Sequence, residues 1–404
     1  MKTALLVFTS SFPSRDGATE GIFVQELAAG LSPDFRISVL TPKLRPEAAS
    51  FEEYKGLRIH RFSDGILCGH GGMLSRLRKH RWLALFLPWF LLVQFLCLVR
   101  ILRREKIEVV HAHWFLPQAL LAVLAKKLFF PRLRVVATSH GSDLLGKHGG
   151  VSRRLLRFTL AGVDDLSVVG PELAQVAESL GRKTDHIYPM GIDTELFSPA
   201  ARADRAEIFG GTEGPFLLFV GRMVPSKRGD VLIRATALLR ESRPGVRLLM
   251  IGDGPQKEDW RALAETLGVA ECISFLPAQP HEELPRCFAS CDCFVMPSES
   301  EGFGLVTLEA LACGTPCAAS DLPVYRKLDR EAGFELVTLF PTGAAEILAE
   351  KLAVLPTRGD ERAAARRRRF VVERFGMERC LENYRELLSG IPRPAADGGA
   401  AGPR

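Results

Sequence analysis

Apolar positions along the chain recur in two rhythms. Short unbroken runs, among them Ala4–Phe8, Phe216–Val220 and Cys293–Met296, have no polar side to turn toward water and predict strands buried on both faces. Between them lie stretches with apolar residues three and four apart. Ile22–Leu31, with a face at Phe23, Leu27 and Leu31, is one such amphipathic helix. In the first half, 37–40, 57–59, 109–110, 135–137 and 166–169 read as further strands. Helices are expected over 117–128 and 155–161, and from Pro171 to Leu180, where proline suits a first turn. The second half repeats the rhythm, with strands at 248–251, 273–275 and 317–319 and helices at 231–239, 259–267, 284–289, Leu305–Ala312 and 344–355. This alternation predicts an α/β protein with two parallel, doubly wound sheets. Periodicity breaks near 193–214, where Ser198-Pro-Ala and Gly210-Gly-Thr-Glu-Gly-Pro215 intervene. The expected domains are therefore 1–193 and 194–376. The stretch 391–404, rich in Pro, Gly and Ala, is expected to be a disordered tail.

One run fits neither rhythm. From Trp82 to Val99 only Gln94 is strongly polar, with Arg76, Arg78, Lys79 and Arg81 before it and Arg100, Arg103, Arg104 and Lys106 after. Three readings stand: a spanning helix, a core helix of the first domain, and a helix that also rests on an anionic membrane through Trp82, Trp89 and Phe90. Spanning is disfavoured by Pro88 and by topology, since it would set strands of one sheet on opposite sides of a bilayer. The net charge of +6 sharpens the same region: residues 1–190 carry +10 and the remainder −4. A basic half suits anionic lipid or an anionic acceptor, and no nucleic-acid motif accompanies it. Nine cysteines lie mostly in apolar runs and lack metal-ligand spacing, so reduced core thiols of a cytosolic protein are expected. The chain enters a strand directly after Lys2, and no signal peptide is expected.

The chemistry concentrates after strands. The stretch from Ser298 to Pro316 links a strand to an alanine-rich helix through Gly302 and Gly304, and holds Glu301 and Glu309. Unsatisfied N–H groups at that helix start suit an anion. The acids do not, but they suit sugar hydroxyls, and a nucleotide sugar offers both. Arg222 and Lys227 follow another strand in a loop before a helix, where two cations can clamp a diphosphate. Taken alone they read better as solvated surface charges. The loop 9–21, with Gly17 and Gly21, follows the first strand, as His111-Ala-His113-Trp114 and Thr138-Ser-His140-Gly-Ser-Asp143 follow later ones. Either histidine segment alone reads as readily as structural. Gly252-Asp-Gly254-Pro255 is a short turn after a strand and does not match a dinucleotide fingerprint.

Together these segments resemble the retaining glycosyltransferases of family 4, which have the GT-B fold. The matching residues are Phe12-Pro13, Gly21-Ile-Phe-Val24, the two histidine segments, Met190-Gly-Ile-Asp-Thr-Glu-Leu-Phe197, Val220-Gly-Arg222, Lys227, Gly252-Asp-Gly-Pro255, Glu301-Gly-Phe-Gly-Leu-Val-Thr-Leu-Glu309-Ala and Gly314-Thr-Pro316. The resemblance implies two Rossmann-like domains facing across a cleft, the first binding acceptor and the second donor, with a helix over 377–390 crossing back to the first. It implies that Arg222 and Lys227 neutralise the donor diphosphate, that Glu301 contacts the donor sugar and Glu309 the ribose, and that the amides of Phe303, Gly304 and Leu305 bind sugar hydroxyls. His140 would lie beside the transferred sugar, and Gly17 or Gly21 near the phosphates. No cofactor or bound metal is implied. The activity implied is transfer of a hexose or N-acetylhexosamine from a nucleotide diphosphate sugar to a glycan or lipid-linked acceptor in cell-surface polysaccharide biosynthesis. The expected place is the cytoplasm, at the inner face of the membrane, with peripheral contact through 76–104. A sugar-nucleotide epimerase of the same fold and a non-catalytic sugar-nucleotide-binding scaffold are the alternatives. Three departures stand out: Arg228 before Gly229, Gly17-Ala18 in place of paired glycines, and Asp321-Leu-Pro-Val-Tyr-Arg326 after Ser320.

Overall fold

The protein is described by a computed structural model covering residues 2–13, 21–68, 77, 80–141, 143–144, 149–211, 213–354 and 360–390. Gly17 and its neighbour Ala18, the basic residues Arg76, Arg78 and Lys79, and the tail from Ile391 lie outside these. The chain divides into two compact units. One is built on Phe23–Tyr188 with the N-terminal strand and the C-terminal helix; the other is built on Pro189–Met377. Residues 189–193 go with the second unit because Ile192 pairs with Gly376, its N–H donating to the Phe375 carbonyl at 2.8 Å. The division therefore falls slightly ahead of the break at 193/194.

The described residues of the first unit run β1 (Ala4–Phe8), α1 (Ile22–Leu31), β2 (Arg36–Pro42), β3 (Phe51–Tyr54), β4 (Leu57–Phe62), α2 (Leu87–Arg104), β5 (Val109–His113), α3 (Leu120–Leu128), β6 (Arg134–Ser139), α4 (Gly150–Gly162), β7 (Asp165–Val168), α5 (Pro171–Ser179) and β8 (His186–Ile187). The strands form one sheet in the order β3-β4-β2-β1-β5-β6-β7-β8. All pairs are parallel except the β3–β4 hairpin, whose edge strand Phe51-Glu-Glu-Tyr54 is too polar for the run pattern to reveal. Every residue of β1 and β5 is buried; β1 is apolar throughout, whereas β5 buries His111 and His113 along with its apolar residues. The C-terminal helix, Met377–Ser389, packs on this unit with Tyr384 wholly buried. Its last carbonyls, at Leu387 and Leu388, accept from the Arg134 guanidinium at 2.7 and 3.0 Å, which satisfies groups a helix end leaves open. The helix expected from Pro117 begins only at Leu120, because Leu116 is extended and Phe115–Ala119 forms an irregular turn.

The second unit continues with α6 (Arg205–Phe209), β9 (Phe216–Val220), α7 (Gly229–Ser242), β10 (Arg247–Ile251), α8 (Lys257–Thr266), β11 (Ile273–Leu276), α9 (Leu284–Ser290), β12 (Cys293–Met296), α10 (Leu305–Ala312), β13 (Cys317–Ser320), α11 (Pro323–Ala332), β14 (Thr338–Phe340), α12 (Ala345–Ala353) and α13 (Glu361–Phe375). Its sheet is wholly parallel, in the order β11-β10-β9-β12-β13-β14. The apolar sides of the helices close a single core over both faces. α13 is dense in arginine, yet one of them, Arg368, is spent on the carbonyls of Thr194, Phe197 and Ala312. All nine cysteines are free thiols, and burial pushes those of Cys293 and Cys313 up to about 12, so they are inert packing groups.

Each sheet has a point where the strand order reverses. In the second unit the chain moves from β9 outward to β10 and β11, then returns to β12 on the other side of β9. In the first, β1 is flanked by β2 and by β5. Ligands of such sheets sit outside the strands' carboxyl ends at that reversal, because the two loops there lead away to opposite faces and leave a crevice.

Candidate functional site

The loops that follow β9 and β12 flank the reversal in the second unit, and they hold the expected charges. Lys227 Nζ lies 2.6 Å from Glu301 Oε1, and the buried hydroxyl of Ser298 donates to the same oxygen at 2.7 Å. Glu301 is thus fixed from two sides, with its second oxygen uncommitted to either. The loops are also joined through backbone, Glu299 N–H donating to the Ser226 carbonyl at 2.9 Å. Arg222 is exposed and makes no ion pair with a described residue. Arg228, the departure before Gly229, is held by two acids. Its guanidinium bonds both oxygens of Asp230 and one of Glu299, each at 3.0 Å, and these anions raise its already high pKa further. The positive φ of 47° that Arg228 adopts turns the chain into α7.

Glycines let the neighbouring backbones come close. Gly252 has φ 146°, and a Cβ there would stand 2.0 Å from the Gly221 carbonyl oxygen, so Gly252-Asp-Gly-Pro255 lies against the Arg222 loop only because the side chain is missing. Gly304, at φ 76°, caps α10, and a Cβ on it would reach the buried Tyr325 hydroxyl at 3.0 Å. That hydroxyl is held by Thr307 at 3.1 Å. The turn Phe303-Gly304-Leu305 therefore presents the open N–H groups of a helix start, with its dipole, next to Glu301 in sequence. Phe303 packs edge-on against Phe375, which fixes the turn from behind. Further along α10, Glu309 is nearly buried and one oxygen is 3.1 Å from His281 Nε2. Neither Ser298 nor His281 is singled out by the sequence. Ser298 has a local signal, three residues before Glu301. His281 has none, since 28 residues separate it from Glu309.

In the first unit the carboxyl ends of β5 and β6 hold a histidine cluster. His113 Nδ1 and His140 Nε2 are 2.8 Å apart, and His111 Nε2 is 2.8 Å from Thr138 Oγ1. Phe23 and Trp114 pack against the His140 ring, at 4.9 and 5.0 Å between centroids. Burial depresses all three histidines: His111 and His140 to about 3, and His113 well below its ordinary value. The imidazoles are therefore neutral near pH 7 and hydrogen-bond without charge. Asp143 organises the loop by accepting from Ser139 Oγ at 2.6 Å and from Phe115 N–H at 2.8 Å, while burial raises its carboxyl pKa. Of the glycines expected near phosphate, Gly21 has φ 82° and turns the chain into α1; Gly17 lies outside the described residues. Among the described residues, no group of three or more His, Cys, Asp or Glu side chains is arranged to hold a metal ion.

Comparison with known proteins agrees with both sheets. Residues 21–196 match Glycosyltransferase Family 4, and residues 201–369 match Glycosyl transferases group 1. A GDP-mannose-dependent alpha-(1-6)-phosphatidylinositol monomannoside mannosyltransferase of Mycolicibacterium smegmatis is 30% identical over 333 residues, covering 78% of this chain and 80% of that protein. Among solved structures, the sucrose-phosphate synthase of Thermosynechococcus elongatus superposes with a TM-score of 0.77 at 21% identity, over 96% of this chain and all of the other. HepE of Anabaena, solved in complex with UDP and glucose, superposes with a TM-score of 0.72 at 17% identity, over 96% of this chain and 100% of its own. With two doubly wound units, family models matched across both and a relative matched over most of its length, the chain belongs to the family 4 glycosyltransferases of GT-B fold.

Proposed function

We propose that this glycosyltransferase moves a hexose or N-acetylhexosamine from a nucleotide diphosphate sugar, with retention at the anomeric carbon, to a glycan or lipid-linked acceptor of cell-surface polysaccharide. It works in the cytoplasm, where a membrane-borne acceptor brings it to the inner face. The observation that carries the donor reading is the Lys227–Glu301 pair at the strand reversal, with Arg222 beside it in the same loop and the helix start of α10 following. A diphosphate draws on Lys227 and Arg222. The sugar hydroxyls draw on Glu301 and on the amides of Phe303, Gly304 and Leu305. The ribose draws on Glu309, whose orientation His281 fixes. The mannosyltransferase relative is named for a GDP-mannose donor and HepE was solved with UDP, which supports a nucleoside diphosphate without choosing its base.

In the proposed step the bond from the anomeric carbon to the diphosphate oxygen breaks, and a bond to the acceptor hydroxyl oxygen forms on the same face. The hydroxyl proton leaves with the departing diphosphate. The chain supplies charge stabilisation for that leaving group, and no protein nucleophile is required. His140, neutral and held by His113, hydrogen-bonds the transferred sugar. Bound metal is not assigned a part.

Thermal-shift titration against UDP-, GDP- and ADP-sugars finds the donor: at 100 times its dissociation constant it stabilises the folded chain by about 2.7 kcal/mol. The product's anomeric configuration by NMR then tests retention. An isomerised sugar nucleotide in place of free nucleoside diphosphate identifies an epimerase, and unchanged transfer by Glu301→Ala refutes the site.

A further inference from the structure

The helix that ends in Arg104 is apolar on its outward side as well as its buried one. Phe90, Gln94, Leu98 and Ile101 face inward and are buried. Gln94, the one strongly polar side chain of the run, is among them, and neither of its amide atoms has a partner in the structure. The outward side carries Trp89, Leu92 and Leu96, with Leu85 and Trp82 on the preceding turn. Leu85 is 81% exposed, Trp82 62% and Leu96 57%. At 100° per residue Trp89, Leu92, Leu96, Arg100 and Arg103 fall within a sector of about 80°, so one stripe runs from apolar to cationic along roughly 21 Å of helix. No Asp or Glu occurs between Arg81 and Arg104. At the cationic end Leu96, Val99, Arg100, Arg103 and Arg104 line a pocket. The stripe widens sideways at Phe129, half exposed, whose ring packs against Phe95 and under the Arg103 guanidinium.

Trp82–Arg104 is long and apolar enough to cross a bilayer, but its inner side is committed. Phe90 packs there on Phe62 of β4, and the half-exposed Trp89 tethers the outward side as well, its indole N–H donating to the Asp64 carbonyl at 3.1 Å. The helix lies on the sheet, and β4 before it and β5 after it belong to that sheet. We infer that the outer face of α2 and the turn before it is a membrane seat: Trp82, Leu85, Leu92 and Leu96 immerse in the interfacial layer, and Arg100 and Arg103 hold phosphates of anionic lipids. The occupant is a lipid leaflet and not a protein, because an apolar stripe leading into Arg100 and Arg103, with the nearest acid, Glu105, lying past the helix end and already paired with Arg36, Arg58 and Arg104, matches the acyl-to-phosphate boundary of an anionic bilayer. This gives the proposed inner-membrane location a physical surface, and its test does not depend on the donor.

The full chain is floated with vesicles of phosphatidylcholine, with and without phosphatidylglycerol. Binding is expected on the anionic vesicles, with a blue shift of tryptophan emission that Trp82→Phe reduces. Neutralising Arg100 and Arg103 together as R100Q/R103Q weakens it about twenty-five-fold, at about fivefold per charge near an anionic surface. L92S/L96S removes it. All these residues are at the surface, and an unaltered melting temperature verifies that the variants fold. A chain that stays off both kinds of vesicle, or variants that bind like the parent, overturns the seat. So does a solution dimer that L92S/L96S dissociates, which gives the face to a second copy. A donor that never shifts the melting temperature refutes the proposed function and leaves the vesicle result standing.

Discussion

The two units use one scaffold and opposite electrostatics. Both place polar side chains at the carboxyl ends of a parallel sheet, beside the strand where the order reverses. In the second unit these are full charges, met by partners: Lys227 with Glu301, Arg228 with Asp230 and Glu299, Glu309 with His281. In the first they are imidazoles that burial keeps neutral. The difference follows from exposure. Lys227 and Arg228 keep part of their surface in water, and the more covered carboxylates Glu301 and Glu309 are each held by a partner. The histidine cluster is enclosed by Phe23, Trp114 and Tyr384, where a charge would be costly. On the proposed reading, the loop that meets a diphosphate keeps its cations near solvent, and the histidine cluster beside the transferred sugar stays dry.

The most severe break of this comparison removes the charge. Lys227→Ala is expected to lower kcat by about 10²- to 10³-fold, the scale for losing one preorganised donor to a developing oxyanion. Steady-state transfer kinetics read this directly, and a drop below tenfold means the lysine is not on the leaving group. The neutral side is tested by acid. The unfolded chain protonates its histidines below about pH 6.5, while folded His111 and His140 resist until about 3. Their stability contribution is therefore complete above pH 6.5 and falls as the pH drops, by up to about 1.4 kcal/mol per unit for each. Asp143, whose pKa is raised, acts in the opposite sense. Denaturant midpoints between pH 7 and 5 should show a shallower slope in His111→Phe than in the parent.

A smaller effect sharpens the contrast within the cluster. His113→Phe deletes the 2.8 Å bond that orients His140. It is expected to lower kcat about tenfold, the scale of one hydrogen bond, while donor affinity by calorimetry is unmoved. Equal loss in both would make His113 part of the donor site. The least effect is expected at Arg228→Ala, whose ion pairs are partly exposed and contribute within about 1 kcal/mol. A hundredfold loss of transfer there would return Arg228 to the clamp.

Much of this was legible before any coordinates. Cys293–Met296 and Leu305–Ala312 coincide with their strand and helix because buried elements of a parallel sheet leave unbroken apolar runs. α11 and α13 escaped because their faces are dominated by Arg, Lys and Glu, and apolar spacing is diluted. The charges of the loops after β9 and β12 are visible in the sequence because they sit next to the glycines and strand ends that position them. Partnerships made through the fold, such as His281 with Glu309 or His113 with His140, leave no trace in local spacing.

The lysine–glutamate pair has a bearing on turnover. On the proposed reading, Lys227 must divide itself between Glu301 and the incoming diphosphate, and once the sugar has gone Glu301 competes for it again at 2.6 Å. The carboxylate is then a built-in rival to the spent nucleotide. It weakens the enzyme's grip on its own by-product and empties the site for the next donor.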